Sequence, residues 1–333
     1  MISETQYQRA LALIENAKDV LITTHIKPDG DACGCVAALS AILRRRGKTA
    51  RPLLLSAMPQ WYAFLFDEPL PVLGEDTQVE DLTGRTYAQV DLVIIVDTNS
   101  YSQLPAFEEY LKQSDTPVLV IDHHVTSDNL GLVELADSTA AAAGLVLLDL
   151  LTYADWEIAE DVAEALFVAI ATDTGWFQFN NADSRAYRAC ANLIDRGVNP
   201  MQVHDKLYQN FSAGRFRLML AMLSRLKLQL DGRYASQYIL QEDFEQTGSA
   251  YPDTENLINE CHRIASVKVS SLFVQLKDGR VRCSLRSRGA IDVSEIATKF
   301  GGGGHKMAAG TFLPGPIENA RQLILNEVAQ RLD

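Results

Sequence analysis

Short, almost continuously apolar runs mark the first half of the chain. They lie at residues 20–24 (VLITT), 91–97 (DLVIIVD) and 117–122 (PVLVID), with a weaker one at 51–55. Strands that are apolar at every position are buried on both faces, which is typical of a parallel sheet covered by helices. Helical patterns alternate with these runs or follow them, at residues 37–46, 140–153, 159–172 and 184–194. The pattern predicts an α/β fold with a doubly wound, mainly parallel sheet.

The pattern changes in the second half of the chain. Residues 215–230 have apolar positions at helical spacing and predict a helical connector. Strands are predicted at 234–240, 271–276 and 280–285, and the Asp-Gly pair at 278–279 indicates a hairpin. A helix at 293–300, a strand at 311–313 and a helix at 317–332 would complete a smaller α+β domain. The predicted boundaries are 1–196 for the first domain, 197–231 for the connector and 232–333 for the second domain.

The amino-acid composition limits which partners the protein can be expected to bind. Among 333 residues, 30 Lys and Arg oppose 43 Asp and Glu, a net charge of −13 that excludes a protein coating long nucleic acid. No apolar run approaches the roughly 18 residues of a membrane helix, so no membrane partner is expected. The start has no basic region before an apolar stretch, and the five Cys are an odd number. These features predict a cytoplasmic protein with reduced thiols.

Polar side chains follow the predicted strands where each one ends. Because the carboxyl ends of parallel strands share one edge, where ligands bind, we expect these side chains to meet in one crevice. A single Asp after a strand is ordinarily a cap or turn residue, and a single His is ordinarily structural, but six such residues favour a site. The six are four aspartates and two histidines: His25, Asp29, Asp31, Asp97, His123 and Asp173.

Crowded carboxylates repel one another and are costly to desolvate, and bound cations remove both problems. Four Asp and two His suit two divalent ions. The mixture of carboxylate and imidazole favours Mn²⁺, with Fe²⁺, Co²⁺ or Zn²⁺ also open. Two such ions can stabilise both the attacking and the leaving oxygen of a phosphoryl transfer.

The same residues carry a resemblance to a known family. HIKPDGD at 25–31, Asp97, the Asp-His-His run at 122–124 and Asp-Thr-Gly at 173–175 resemble, in order, the four motifs of the DHH phosphoesterases. GGGGH at 301–305 resembles the signature of the DHH-associated C-terminal domain. The resemblance covers essentially the whole chain and is strongest to the group of bifunctional oligoribonucleases and pAp phosphatases. One departure is Cys35, where the family usually has Ser.

The resemblance implies a role for each motif residue. His25 and Asp29 would bind one metal, Asp31, His123 and Asp173 the other, and Asp97 would bridge the two. Asp122 would orient a ligand imidazole, and His124 would touch the scissile phosphate or assist the leaving group.

A substrate clamp is expected in the second domain, because Arg forks match phosphate and glycine loops bring N–H groups close to anions. The residues are Arg286, Ser287 and Arg288, which follow the second hairpin strand, and Gly302, Gly303, Gly304 and His305.

Other candidates are weaker. Trp176 and Phe177 would either stack on a base or only cap the core. His204 and His262 are interpreted as structural. Cys33 and Cys35 are expected to pack at the helix start rather than bind metal.

The resemblance implies hydrolysis of very short oligoribonucleotides, dinucleotides to pentanucleotides, to nucleoside 5′-monophosphates, and removal of the 3′-phosphate of adenosine 3′,5′-bisphosphate (pAp). Short substrates also fit the acidic charge, since a long polyanion would be repelled. Two alternatives stay open: a phosphodiesterase for cyclic (c-di-AMP) or linear dinucleotides, and an inactive nucleotide-binding sensor. An inorganic pyrophosphatase is disfavoured because its second domain carries a different signature. A homodimer is compatible with the resemblance.

Overall fold

The computed structural model describes residues 2–84, 87–209 and 211–332, without the side chain of His305. The chain divides into two units, Met1–Asn210 and Phe211–Asp333. Each unit is built around its own sheet.

Five parallel strands form the sheet of the first unit, in the order β2-β1-β3-β4-β5. Every residue of β1 and of β3 is buried, as the continuous apolar runs predict. The predicted α/β parallel sheet is confirmed. The strands are β1 (Asp19–Thr24), β2 (Thr49–Pro52), β3 (Leu92–Val96), β4 (Val118–Asp122) and β5 (Val133–Ala136).

Helices cover both faces of this sheet. One core joins residues of β1, β3 and β4 to α1, α2, α4 and α5. A second core, on the opposite face, packs Leu21, Val93 and Val120 of the strands against Phe107 and Tyr110 of α3. The helices of the unit are α1 (Glu4–Asn16), α2 (Gly30–Arg45), α3 (Phe107–Gln113), α4 (Ala143–Tyr153), α5 (Glu160–Asp173), α6 (Ser184–Asp195) and α7 (Pro200–Tyr208).

Helix α2 begins seven residues earlier than predicted. The Asp29 side chain caps this early start by accepting from the N–H groups of Asp31 and Ala32. Gly34 lets α2 lie against α5, since a Cβ there would be 2.4 Å from the carbonyl oxygen of Ala165. The early start places Asp29 and Asp31 at the N-terminus of a buried helix.

The second unit contains a six-stranded mixed sheet in the order β10-β11-β9-β8-β7-β6. Strands β7 and β8 are parallel and all other neighbours are antiparallel. The strands are β6 (Lys227–Gln229), β7 (Tyr234–Ile239), β8 (Val269–Gln275), β9 (Val281–Ser287), β10 (Gly303–His305) and β11 (Ala308–Leu313). The helices are α8 (Ala213–Ser224), α9 (Gln241–Thr247), α10 (Val293–Lys299) and α11 (Ile317–Leu332).

Two predictions in this half are wrong. The helix expected at 215–230 ends at Ser224, because residues 227–229 instead pair with β7 as an edge strand. The positive φ angles of Leu230, Asp231 and Gly232 make the turn between these two strands. The glycine run expected as a loop forms β10, which pairs with β11. No helix within the described ranges is long and apolar enough to cross a membrane.

Candidate metal centre

The carboxyl ends of β1, β3 and β4 bring the predicted site residues together. His25 directly follows β1, Asp97 directly follows β3, and His123 directly follows β4. The last residue of α5, Asp173, joins them, as do Asp29 and Asp31 from the start of α2. All six side chains that the sequence indicated therefore lie in one cluster.

Asp31 is held by the N-terminus of a second helix. Its two carboxylate oxygens accept from the backbone N–H groups of Ala143, at 2.6 Å, and Gly144, at 2.8 Å, in the first turn of α4. Helix N-termini attract negative charge, so this contact both orients and stabilises the buried carboxylate. Sequence reasoning missed this support because backbone donors leave no signal in side-chain identity.

Asp97 occupies the centre of the cluster. Its φ of 59° is in the left-handed region, which a non-glycine residue rarely adopts. Its Oδ2 lies 3.3 Å from Nε2 of His25, and its Oδ1 lies 3.4 Å from Nε2 of His123. The Oδ1 atom is buried, and the ring nitrogens of His123 and His124 approach it at 3.4 and 3.8 Å without good hydrogen-bond geometry. A buried carboxylate oxygen with such poorly aligned neighbours fits a metal ligand.

His25 and His123, the two histidines that could bind a metal, both point Nε2 toward the cluster. Nδ1 of His25 lies 2.8 Å from the carbonyl oxygen of Ile26, and Nδ1 of His123 lies 3.3 Å from that of Ala140. Donation from Nδ1 to a carbonyl leaves Nε2 with its lone pair for a metal. The rings are thus oriented by backbone, which is the arrangement that metal-binding histidines use.

Asp122 orients a different imidazole from the one expected. Its Oδ1 accepts from Nδ1 of His124 at 2.8 Å and from the backbone N–H of His123 at 2.8 Å. The carboxylate therefore fixes the ring of His124, while a carbonyl holds the ring of the ligand candidate His123.

The donor atoms form two principal groups that could each hold a metal ion. One contains His25, Asp29 and Asp97, and the other contains Asp31, His123 and Asp173, each with donor atoms within 4.8 Å of one another. Asp97 also lies within this distance of His123 and His124. One carboxylate thus lies between two sets of ligands, as a bridging residue would.

The pKa values show how the site balances its charge with protons. Burial alone would lower the pKa of His25, but the contact with Asp97 and the charge of Asp29 raise it to about 10. Burial would also lower the pKa of His123, but the contact with Asp97 and the charge of Asp31 raise it to about 11. Burial would raise the pKa of Asp97, but the two histidines hold it well below its usual range. Burial, with the charges of Asp29 and Asp97, raises the pKa of Asp173 to about 7 despite the opposing effect of His123.

The predicted clamp residues lie in different surroundings. Arg286 and Ser287 belong to β9 rather than following it, because they pair with β8. The Ser287 hydroxyl is buried and donates to the carbonyl of Ile291 at 2.7 Å, so it ties a loop. Arg288 donates to the carbonyl of His262.

Two positions of the glycine run, Gly302 and Gly304, have little room for a side chain. A Cβ on Gly302 would be 2.2 Å from the carbonyl oxygen of Gly310, and Gly304 has a φ of 137°. Space is open beside Gly303. The side chain of His305 lies outside the described part of the structure.

The aromatic residues after Asp173 pack on the protein itself. The ring of Trp176 lies 5.9 Å from that of Phe167 and 5.2 Å from that of His204, measured between centroids. Phe177 stacks on Tyr187 at 5.1 Å. These contacts favour the capping interpretation and place His204 in an aromatic cluster.

Fold and site together define an α/β protein with a pair of potential metal sites at the carboxyl edge of its sheet. The chain contains the two domains of the DHH family: the model of the DHH family N-terminal domain matches residues 19–170, and that of the DHHA1 domain matches residues 232–333.

Named relatives and a solved structure agree with this assignment. The chain is 29% identical to the bifunctional oligoribonuclease and PAP phosphatase NrnA of Thermus thermophilus, over 94% of this chain and 90% of the relative. It is 24% identical to the protein of the same name from Bacillus subtilis, over 92% of each. The crystal structure of an exopolyphosphatase-related protein from Bacteroides fragilis superposes with a TM-score of 0.91 at 22% identity, covering 100% of this chain and 98% of that one.

Proposed function

We propose that this protein is a phosphodiesterase that hydrolyses oligoribonucleotides of two to five nucleotides, releasing nucleoside 5′-monophosphates, and that it also removes the 3′-phosphate of pAp. The observation that carries the proposal is the convergence of six candidate ligand side chains, with Asp97 among them, in one cluster. The names of the two relatives support the substrate class.

Two divalent ions, Mn²⁺ by preference, would complete the site. His25 and Asp29 would hold one ion, Asp31, His123 and Asp173 the other, and Asp97 both. Mixed imidazole and carboxylate ligands suit Mn²⁺. When bound, such ions generate a nucleophile from water and neutralise charge on the reacting phosphate.

His124 would act on the substrate. Burial opposes its protonation, but the hydrogen bond with Asp122 and the charge of Asp97 raise its pKa above the ordinary value. The raised pKa favours the protonated ring, and an imidazole with Nδ1 committed to Asp122 can present Nε2–H to a phosphate oxygen or to the leaving oxygen. Arg286 and Gly302–Gly304 would bind the nucleotide away from the scissile bond.

The test is a product profile from labelled RNAs of two, three, five and 24 nucleotides, with pAp and c-di-AMP in parallel, under Mn²⁺, Mg²⁺ and EDTA. We expect rapid Mn²⁺-dependent turnover of pAp and the short RNAs. Preferred turnover of c-di-AMP would support the cyclic-dinucleotide alternative, and equal rates on 24-mer and trimer would refute the length preference.

A matched pair of variants links activity to the cluster. Asp97→Asn should lower the rate at least about 100-fold, since even outer-shell partners of metal ligands cost 10–100-fold. Asp115→Asn removes the same charge from an exposed loop and should leave the rate unchanged. Undiminished hydrolysis by Asp97→Asn would remove that residue from the mechanism.

A further inference from the structure

One face of the second sheet is covered along only part of its width. Over β7 and β8, an apolar cluster that includes Ile239, Leu272 and Val274 packs against α8 and α9. Burial alternates along β9, so Arg282, Ser284 and Arg286 point to this same face, opposite the core. Their partners on β11 are Phe312, Gly310 and Ala308. Phe312 is 42% exposed, so the face remains accessible at this position.

The guanidinium of Arg282 lies against Gly310 of β11. A Cβ on Gly310 would be 2.7 Å from Nη2 of Arg282, so the side chain occupies the space that any other residue would fill. The same guanidinium lies 5.1 Å from the ring centre of Phe312. Gly310 is paired on its other side with Gly303. Arg282 therefore extends toward the glycine run that the proposed function assigns to substrate.

Arg282 and Arg286 place two positive charges on one face, and Glu255 is a carboxylate whose charge acts on Arg286. In the part of the chain that the structure describes, neither forms an ion pair with Asp or Glu within 4.0 Å. Arg286 donates only to the carbonyl of its neighbour Leu285, at 3.1 Å. Burial and the charge of Arg282 lower the pKa of Arg286, against the opposing charge of Glu255. Facing cations of this kind attract an anion, and guanidinium forks match phosphate.

We propose that Arg282, Gly310 and Phe312 form a subsite for one additional nucleotide of a single-stranded oligoribonucleotide. Arg282 binds its phosphate, and its base stacks on the exposed ring of Phe312, as bases do on aromatic residues of single-strand binders. The subsite rests on the proposed function, in which Arg286 and the glycine run bind the adjacent nucleotide. It would be filled by a trinucleotide or longer RNA and left empty by pAp and dinucleotides.

The test compares KM and kcat for pAp, a dinucleotide and a trinucleotide in variants of the full chain. Arg282→Gln should raise KM for the trinucleotide about tenfold, the loss expected for a charge-assisted phosphate contact, and leave kcat unchanged. Phe312→Leu keeps an apolar side chain without the ring and should raise the same KM about fivefold. Both variants should leave pAp and the dinucleotide within about twofold of the parent.

Arg280→Gln is the matched control. Arg280 lies 5.2 Å from the same ring and carries the same charge, but its Nε is paired with Asp278 at 2.7 Å. The Arg280→Gln substitution should leave KM unchanged for pAp, the dinucleotide and the trinucleotide. An equal effect of Arg280→Gln and Arg282→Gln would reduce the result to general electrostatics and overturn the subsite.

Further outcomes separate the subsite from the proposed function. Equal losses on pAp and trinucleotide in Arg282→Gln, or no loss on either, would overturn the subsite while leaving hydrolysis established. If the parent protein hydrolyses none of these compounds, the proposed function fails. Binding of a fluorescent trinucleotide in EDTA then decides the subsite: affinity about tenfold weaker in Arg282→Gln supports it, and equal affinity refutes it.

Discussion

Metal binding should expel protons from the centre, and the number expelled follows from the structure. In the metal-free site the pKa values of His25, about 10, and His123, about 11, keep both imidazoles charged at neutral pH. A metal needs the Nε2 lone pair, so each imidazole must lose its proton when an ion binds. The two imidazolium charges thus offset the negative charge of the carboxylates until cations bind.

The expected release is about two protons per chain at pH 7.5 when both metal positions fill. Asp173, with a pKa of about 7, adds a fraction of a proton. Protons compete with metal, so affinity falls as pH falls. Since both imidazole pKa values lie above the working range, the product of the two association constants should rise about 100-fold per pH unit from pH 7 to pH 9.

Isothermal titration of Mn²⁺ into chelator-treated protein measures this release. The titration is repeated at one pH in PIPES and in Tris, whose different ionisation enthalpies convert released protons into a difference in heat. His25→Gln should release about one proton fewer and bind one ion more weakly. His204→Gln changes a histidine of the aromatic cluster and should leave the release unchanged.

A total release below about half a proton would refute the reasoning, because the ligand histidines would then be neutral before metal arrives. If the protein releases two protons and His25→Gln releases as many, the protons come from groups other than His25.

Two further predictions concern stability. Gly34→Ala should lower the free energy of unfolding by about 1–3 kcal/mol, since the added Cβ meets the carbonyl oxygen of Ala165 at 2.4 Å; urea denaturation measures the loss, and Arg44→Ala on the exposed end of the same helix should cost under about 0.5 kcal/mol. Burial and the charges of Arg288 and Arg286 lower the pKa of His262 to about 4. The free energy of unfolding therefore has its full value above the ordinary pKa of about 6.5, where the imidazole is neutral in both states. It falls as the pH drops toward 4, because only the unfolded chain then gains the proton. Between pH 7 and pH 5 the loss should be about 2 kcal/mol, and a His262→Gln variant that retains the full pH dependence in urea denaturation would contradict this.

The first sheet was predictable because burial on both faces leaves a continuous apolar signal. Strands β1, β3 and β4 carry that signal, and their ends deliver the polar residues of the centre. The start of α2 was not predictable in the same way. Glycines that ordinarily interrupt a helix are present there because α2 touches α5, and that contact depends on residues far away in the chain.

The clamp region shows a second limit. Its pairing with β11 turns a glycine run into a strand, and local sequence does not record the partner. Arg282 and Phe312 were missed although a signal existed. In the sequence, Val281, Cys283 and Leu285 alternate with polar residues, so Arg282 had to share a strand face with Arg286.

The contact between α2 and α5 also sets the dimensions of the centre. Gly30 and Gly34 bring α2 against α5, where a Cβ on Gly30 would lie 2.3 Å from the Thr172 hydroxyl. Because Asp31 lies in the first turn of one helix and Asp173 is the last residue of the other, the spacing of the helices is also the spacing of two proposed ligands. Engineering that aims to change the preferred ion size should therefore vary these glycines and keep every ligand.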